Sequence, residues 1–489
     1  MKINNKLKTS SILNRESSYA VEQSSSNSFK LMINAGKKTA KEIQSNYKKT
    51  KTLILCGIGG NGGDGFITAQ ELLNKGWDIE VAIIGNKNKI KDDSLKALKK
   101  LKINTHDFKD IQLEKIGLFV DAIIGIGLSR NIKDNISKVL KIIDNHNSPI
   151  VALDIPSGID CNSGKILGYA AHCELVITFS SLKYGHILTP GSEKSKNIKV
   201  INIGISRSVL NDISPSINLN IKKYWINNIK WPKIDDHKYS RGFSLVVGGP
   251  KNMTGAARLA AISAQRTGSG IVCVAVEKNA EQIYFITLLS QIVKTYRNIE
   301  EFTSIINEKR INSIVIGPGL KENNSSILKV KSTLKTNKKI LLDAGAISCF
   351  KGKLKTFKNI IADKDVIITP HEGELNAIMP EISGNIIDKA LNAAEQLGCI
   401  VVLKGATTVI ASPNNKALVN CAGSKWLSTA GSGDVLAGII GGLLSNKMDS
   451  YLAAAFGVWL HSEIGNYLGP GLIAEDIPIY IKKILKKLL

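Results

Sequence analysis

The sequence predicts an α/β protein of two domains, each built on a largely parallel sheet covered by helices on both faces. Three observations carry that expectation. The chain has 489 residues, too many for one hydrophobic core. From Lys51 to about Ile205, short near-continuous apolar runs alternate with helix-length amphipathic segments, the pattern of strands buried on both faces. The alternation stops over Ser206–Asp236, which is polar, rich in Asn and Lys and carries Pro215 and Pro232, and it restarts at Phe243. The expected domains are therefore residues 1–212 and 237–489, joined by a linker over 213–236.

The elements follow in order. After a polar lead-in, Phe29–Gly36 has helical character and should end near the glycine. The first domain's expected strands are Thr52–Cys56, Ile79–Ile84, Leu118–Ile123, Ile150–Asp154, Leu175–Phe179 and Ile198–Ile203. A short element is expected at Tyr224–Ile229 inside the linker. The second domain should use Phe243–Val247, Ile271–Val276, Ile314–Ile316, Ile340–Asp343, Val366–Thr369, Ile400–Lys404 and Thr408–Ala411.

Composition excludes several classes. A hydrophobic fraction of 43% with 22% charged residues describes a folded globular chain. No apolar run approaches the ~18–20 residues that span a bilayer. The polar start has no apolar segment of a secretory signal. The seven cysteines are scattered and never spaced as C-x-x-C, so neither a disulfide framework nor a zinc site is expected, and a cytoplasmic location fits. The net charge of +24 comes from Lys spread along the chain, and no aromatics interleave with the basic runs. Nucleic acid is therefore not the expected partner, although a polyanionic small molecule would feel the positive field. A homo-oligomer is expected.

In the first domain, Thr52–Cys56 runs into Gly57-Ile58-Gly59-Gly60-Asn61-Gly62-Gly63-Asp64-Gly65, and a helix is expected over Phe66–Lys75. A glycine-rich turn between strand and helix lets backbone amides approach an anion. The next strand ends in Ile83-Ile84-Gly85-Asn86, without the acid that holds a ribose in a dinucleotide-binding dehydrogenase. Two later strand ends carry Asp121 and Asp154-Ile155-Pro156-Ser157. An Asp or Ser at such a junction can simply cap a helix. Three loops carrying Asn61, Asp121, Asp154 and Ser157 at one sheet edge favour a site, with oxygen ligands suited to a hard cation.

These segments, with Asp121-Ala-x-x-Gly125-x-Gly127-Leu128, Thr178-Phe179 and Lys183-x-Gly185-His186, resemble the NAD(P)H-hydrate epimerase family over roughly Ser10–Ile205. The resemblance implies a Rossmann-like doubly wound sheet. It makes Gly60, Asn61, Gly62, Gly63 and Asp64 substrate-binding, together with Gly125, Ile126, Gly127, Leu128, Ser129, Arg130 and Asn131. It assigns K+ to Asn61, Asp121 and Ser157. Asp154 would bind substrate and act as the base, its pKa raised toward neutrality by burial. Gly60 and Ile126 depart from the family's usual Asn and Thr.

In the second domain, Thr429-Ala430-Gly431-Ser432-Gly433-Asp434 opens an apolar helix expected over Val435–Leu444. Bare amides at that helix start can hold a phosphoryl group, and Asp434 can take a proton from a substrate hydroxyl. An acid at a helix start can also serve the helix alone. The glycine pair before it and Ala437-Gly438-Ile439-Ile440-Gly441-Gly442 after it argue for close backbone approach. His371, in Pro370-His371-Glu372, is a candidate ligand contact or a cap, and His461 is expected to be structural.

With Gly317-Pro318-Gly319, Asp343, Lys404-Gly405 and the opening His237-Lys238…Gly248-Gly249…Thr254-Gly255-Ala256, this half resembles the ribokinase-like superfamily and, within it, NAD(P)H-hydrate dehydratase. The resemblance implies that Lys404, Gly405, Ala406, Thr407, Thr408 and Gly433 bind nucleotide, ADP with Mg2+. It implies that Ala256, Gly319, His371 and Asp434 contact the hydrate, with Asp434 catalytic. Gly345 stands where the family has a second acid after Asp343. The fused chain would repair NADHX and NADPHX, the hydrated forms of NADH and NADPH, by epimerising R and S forms and dehydrating the S form. The rival reading is a ribokinase-like small-molecule kinase with a non-catalytic nucleotide- or RNA-binding first domain.

Overall fold

The structure is a computed structural model describing residues 2–3, 10–213, 216–421 and 423–489. Residues 1 and 4–9 of the polar lead-in, and Pro215, lie outside the described residues. The chain divides into two units, Met1–Ile217 and Asn218–Leu489.

The first unit contains β1 (Lys2–Ile3), β2 (Ile12–Leu13), β3 (Thr52–Cys56), β4 (Ile79–Ile83), β5 (Leu118–Ala122), β6 (Ile150–Leu153), β7 (Cys173–Phe179), β8 (Leu182–Lys183) and β9 (Ser195–Ile201). Its seven-stranded sheet runs β1-β9-β7-β6-β5-β3-β4, and every pairing is parallel. β2 and β8 form a separate parallel pair. The chain leaves β3 toward β4 and returns on the other side to β5. The loops after β3 and β5 therefore part at a topological switch point, where open sheets of this kind bind ligands.

Two helices differ from expectation for one reason. The first runs Ser28–Asn46, straight through Gly36. A Cβ at Gly36 would fall 2.5 Å from Ile67, so this glycine permits close helix packing rather than ending the helix. The second starts at Gly60, not Phe66, and runs to Asn74. A Cβ at Gly62 would strike the Gly57 carbonyl oxygen at 1.9 Å, and one at Gly63 would meet Met32 at 2.6 Å. Half of the apparent phosphate loop is thus the first turns of a tightly packed helix.

The second unit contains β10 (Ile217–Leu219), β11 (Phe243–Val247), β12 (Ile271–Glu277), β13 (Ile292–Tyr296), β14 (Ser313–Ile316), β15 (Lys339–Leu342), β16 (Val366–Ile368), β17 (Ile400–Leu403), β18 (Thr408–Ser412) and β19 (Lys416–Asn420). The sheet order is β10-β19-β18-β17-β16-β15-β14-β11-β12-β13. It is parallel from β13 to β17, and β17-β18-β19 are antiparallel. Its switch point falls between β11 and β14.

The linker expected over 213–236 is corrected. β10 joins this sheet, and the Asn220 amide donates to the Val419 carbonyl oxygen at 2.9 Å. Trp225 is fully buried, stacked on Phe456 at 4.5 Å, and its indole donates to Asn220 Oδ1 at 3.2 Å. Losing a core Trp side chain costs roughly 3–5 kcal/mol. The segment is therefore part of the second unit's core. Its buried Trp225 and three-residue strand are too short to stand out among polar neighbours.

Candidate active sites

In the first unit, the Gly57–Asp64 loop, the loop after β5 and the end of β6 wall a cavity of about 1080 Å³. Gly60, Asn61, Asp64, Gly125, Ile126, Gly127, Leu128, Arg130, Asn131 and Asp154 all line it. Gly62 and Gly63 are packed inside the helix instead, and Ser129 is exposed outside the wall.

Asp154 is buried at the end of β6 with φ of 59°, a left-handed backbone that costs a non-glycine residue about 1–3 kcal/mol. Its Oδ1 accepts from Thr178 Oγ1 at 3.0 Å and from the Phe179 amide at 3.2 Å, and it forms an ion pair with buried Lys183. The Lys183 ammonium also donates to Thr178 Oγ1 at 2.8 Å and to the Phe179 carbonyl at 3.0 Å. Burial pushes the Asp154 carboxyl up, but Lys183 outweighs it and the pKa lies below the ordinary 3.8. The expectation of a burial-raised Asp154 is therefore overturned, because sequence reading gave Lys183 no partner.

His186 accepts the Lys183 amide at Nδ1 (3.0 Å), so its Nε2 carries the proton toward the Asp154 carbonyl at 2.8 Å. Burial and then Lys183 pull its pKa to about 4, which keeps it neutral. It fixes the Asp154 backbone.

Asp121 and Ser157 form a second buried cluster. Asp121 accepts from the Ser157 hydroxyl at 2.6 Å, the Ser157 amide at 2.8 Å and the Ile123 amide at 3.2 Å. The Ile124 amide donates to Ser157 Oγ at 2.9 Å. Asn61 lies against the same loop, since a Cβ on Gly125 would fall 3.3 Å from its side chain. Its buried amide nitrogen has no hydrogen-bond partner. Nitrogen and oxygen of an amide interchange by a flip, so Asn61 can present an oxygen there. An amide, a hydroxyl and one carboxylate fit a hard, weakly charged cation.

Sequence reading missed two cavity groups, Glu22 and Tyr19, and named Lys183 without its ion pair to Asp154. Tyr19 and Glu22 sit three apart on the helix Arg15–Gln23 and both line the cavity. That helix is tied down where Arg15 Nε donates to the Ile126 carbonyl at 2.8 Å and the Arg15 amide to Asn162 at 2.6 Å. The Ile126 side chain itself packs with Ile155, Ile159, Cys161 and Ala170.

In the second unit, Gly431 takes φ of 88° and starts the helix Ser432–Ser445, one turn earlier than expected. The first-turn amides of a helix have no intrahelical acceptors. Lys404 stands over that helix start, because a Cβ on Gly433 would lie 3.6 Å from its ammonium. Lys404 also pairs with Asp343 at 2.8 Å, and Asp343 accepts from Thr369 Oγ1 at 2.7 Å. Burial and the neighbouring Asp343 raise the Asp434 pKa to about 6, with Lys404 offsetting part. Asp434 is thus poised as a base near neutrality.

Gly319 (φ of 75°) adjoins Ala256 and Gly249, so the loops after β11 and β14 meet at the switch point. His371 caps the helix Glu372–Ile378: its Nδ1 accepts the Glu374 amide at 3.1 Å, while its ring stays 60% exposed. Gly405 and Ala406 are exposed and Thr407 is buried. Buried His461 has its pKa pulled to about 4 by desolvation. Gly345 has a steric reason, since a Cβ there would fall 2.2 Å from the Leu320 carbonyl oxygen.

Such a chain is a two-unit α/β enzyme: a Rossmann-like domain with a carboxylate-lined cavity, and a ribokinase-like domain with Asp434 at a helix start overlooked by Lys404. Residues 28–185 match the family model described as YjeF-related protein N-terminus, and residues 244–486 match that of NAD(P)H-hydrate dehydratase. The chain is 32% identical over 477 residues to a bifunctional NAD(P)H-hydrate repair enzyme of Dictyoglomus turgidum, covering 91% of this chain and 92% of the relative. It is 27% identical to the Escherichia coli enzyme of the same description, over 94% and 89% of the two chains. A ribokinase-like superfamily structure from Enterococcus faecalis superposes with a TM-score of 0.50 at 23% identity, covering 56% of this chain and 96% of that one. The chain belongs to the family of bifunctional NAD(P)H-hydrate repair enzymes, with an epimerase domain followed by a nucleotide-dependent dehydratase domain. Among the described residues, no helix is long and apolar enough to cross a membrane.

Proposed function

We propose that the second unit activates the hydroxyl of the S hydrate with ADP, and that the first unit supplies the S hydrate from the R form. The observation that carries this reading is Asp434, raised to about 6 at a helix start overlooked by Lys404. Hydration of the enamine-like ring puts the hydroxyl on the carbon beside the ring nitrogen. Asp434 accepts that hydroxyl's proton as it attacks the terminal phosphoryl group, and the first-turn amides and Lys404 neutralise the phosphoryl oxygens. AMP leaves. Phosphate, a far better leaving group than hydroxide, then departs as the adjacent carbon loses a proton, restoring NADH or NADPH. Ala256, Gly319 and His371 are assigned to hydrate contact, and Gly405–Thr408 with Gly433 to the nucleotide.

Mg2+ is assigned to the phosphates it arrives on, since this ion needs only one or two carboxylates beside phosphate oxygens. Asp343 is near enough to Asp434 to raise its pKa there. In the first unit K+ is assigned to Asn61, Asp121 and Ser157, where it would supply positive charge to a substrate phosphate or developing oxyanion. A homo-oligomer in the cytoplasm is proposed too. Its support is the exposed apolar group Phe285, Ile286, Leu289 and Ile292 at the sheet's edge strand β13. Light scattering at the monomer mass refutes it.

The test mixes separated R and S hydrates with ADP or ATP and follows the reduced-nicotinamide absorbance. Recovery from S alone, and from R only through prior epimerisation, is expected. A stable phosphorylated product without recovery would instead identify a kinase.

A further inference from the structure

We propose that Glu22 is the proton donor of epimerisation, acting across the first unit's cavity from Asp154. The inference rests on the epimerase reading of this unit. Epimerising a carbon that bears both a hydroxyl and the ring nitrogen needs a base and an acid at once. The Asp154 carboxylate takes the hydroxyl proton and a C=O bond forms. The carbon–nitrogen bond breaks, its electron pair moves to nitrogen, and Glu22 gives nitrogen its proton. Rotation presents the other carbonyl face. The nitrogen then attacks, Glu22 recovers the proton, and Asp154 returns one to oxygen. No oxidant, reductant or co-reactant is consumed.

The geometry supplies both partners. Glu22 and Asp154 line one cavity from different elements, the helix Arg15–Gln23 and the end of β6. Asp154 is committed to the ionised form by its Lys183 ion pair. Glu22 has no ion-pair partner among the described residues; although the residue is solvent-exposed, the protein packed around its carboxyl and then the Asp154 charge raise it to about 7, and Lys183 offsets only part. Two carboxyl groups whose surroundings separate their pKa values this way divide into acid and base. The other titratable group within that influence is Asp64. Burial, Glu22 and Asp154 drive it well above its ordinary value. Tyr19 faces the same space and is raised as well, by burial and by Glu22.

The experiment uses the full-length enzyme, R hydrate alone and no nucleotide, with the epimers separated chromatographically. Glu22→Gln should lower kcat for epimerisation by about 10²–10⁴-fold with KM little changed. The alkaline fall of wild-type kcat, centred near 7, should vanish from what remains. Glu22→Asp should recover part of the rate. Dehydration of S hydrate with ADP should be unchanged, and an unchanged thermal melting curve of the full-length variant reports that the first unit is folded. Full epimerase activity in Glu22→Gln, or an alkaline limb that persists in it, overturns the proposal. Wild-type enzyme that dehydrates S hydrate but never converts R hydrate sinks the epimerase reading itself, a result distinct from either.

Discussion

Replacing Asp434 with Asn should abolish dehydration and stabilise the protein at the same time. In the folded chain its carboxyl titrates at about 6 against a reference of 3.8, because burial and Asp343 disfavour the charge. The sign follows: a raised folded pKa means the ionised form is resisted, so stability is full below the reference value and declines as pH rises through 6. The rise from 3.8 to about 6 is worth at most about 3 kcal/mol at pH 7.5 and about half of that at pH 5. Asp434 is partly open to solvent, so the measured gain should fall nearer 1–2 kcal/mol. Urea unfolding of wild type and Asp434→Asn at the two pH values reads this difference. Activity, followed as recovered reduced nicotinamide, should fall by about 10²–10⁴-fold. In the wild type, kcat/KM should fall about tenfold from the plateau by pH 5, the ionised fraction expected for a base of pKa about 6. A variant that keeps full activity refutes the base assignment. A variant that loses both activity and stability shows that Asp434 is needed by the helix start and not resisted by it.

Lys183→Met should leave Asp154 as an unpaired buried charge and cost roughly 3–5 kcal/mol at neutral pH, read by thermal melting. With Lys183 gone, burial acts on Asp154 without that offset and raises its carboxyl, so the cost should shrink as pH falls and the carboxyl takes up a proton. Gly60→Asn restores the residue usual in the family at a position with no atom within 4 Å of a new Cβ. Its stability should stay within about 0.5 kcal/mol of wild type, and one added hydrogen bond to substrate should raise epimerase kcat/KM by about 2–10-fold. Gly345→Asp should destabilise by about 1–3 kcal/mol in chemical unfolding, since its Cβ strikes the Leu320 carbonyl. Exchanging K+ for Li+ should slow epimerisation and leave dehydration unaltered, and Asn61→Ala should remove that sensitivity.

The two sheets and the loops that carry the chemistry were legible because they depend on local pattern. Buried parallel strands read as apolar runs, and each expected strand lies within two or three residues of its place. What stayed hidden depends on contacts distant in sequence. Gly36, Gly62 and Gly63 look like helix breakers or anion loops until Ile67, Met32 and the Gly57 carbonyl are seen packed against them. Trp225 reads as linker until Phe456 stacks on it. The acid–base assignments are the clearest case. Asp154 and Asp434 both follow an apolar strand or glycine turn, and sequence reading gave both the role of base, with burial invoked for Asp154 alone. Both are in fact resisted by burial. Lys183, 29 residues on, reaches Asp154 directly and reverses the sign. Lys404 instead pairs with Asp343 at 2.8 Å, so it relieves Asp434 only in part. The difference in proton affinity between the two aspartates is thus set by which carboxylate each lysine reaches. On the proposed roles, the first cavity holds an ionised base that needs a separate acid, while the second keeps a base that titrates at about 6 on its own.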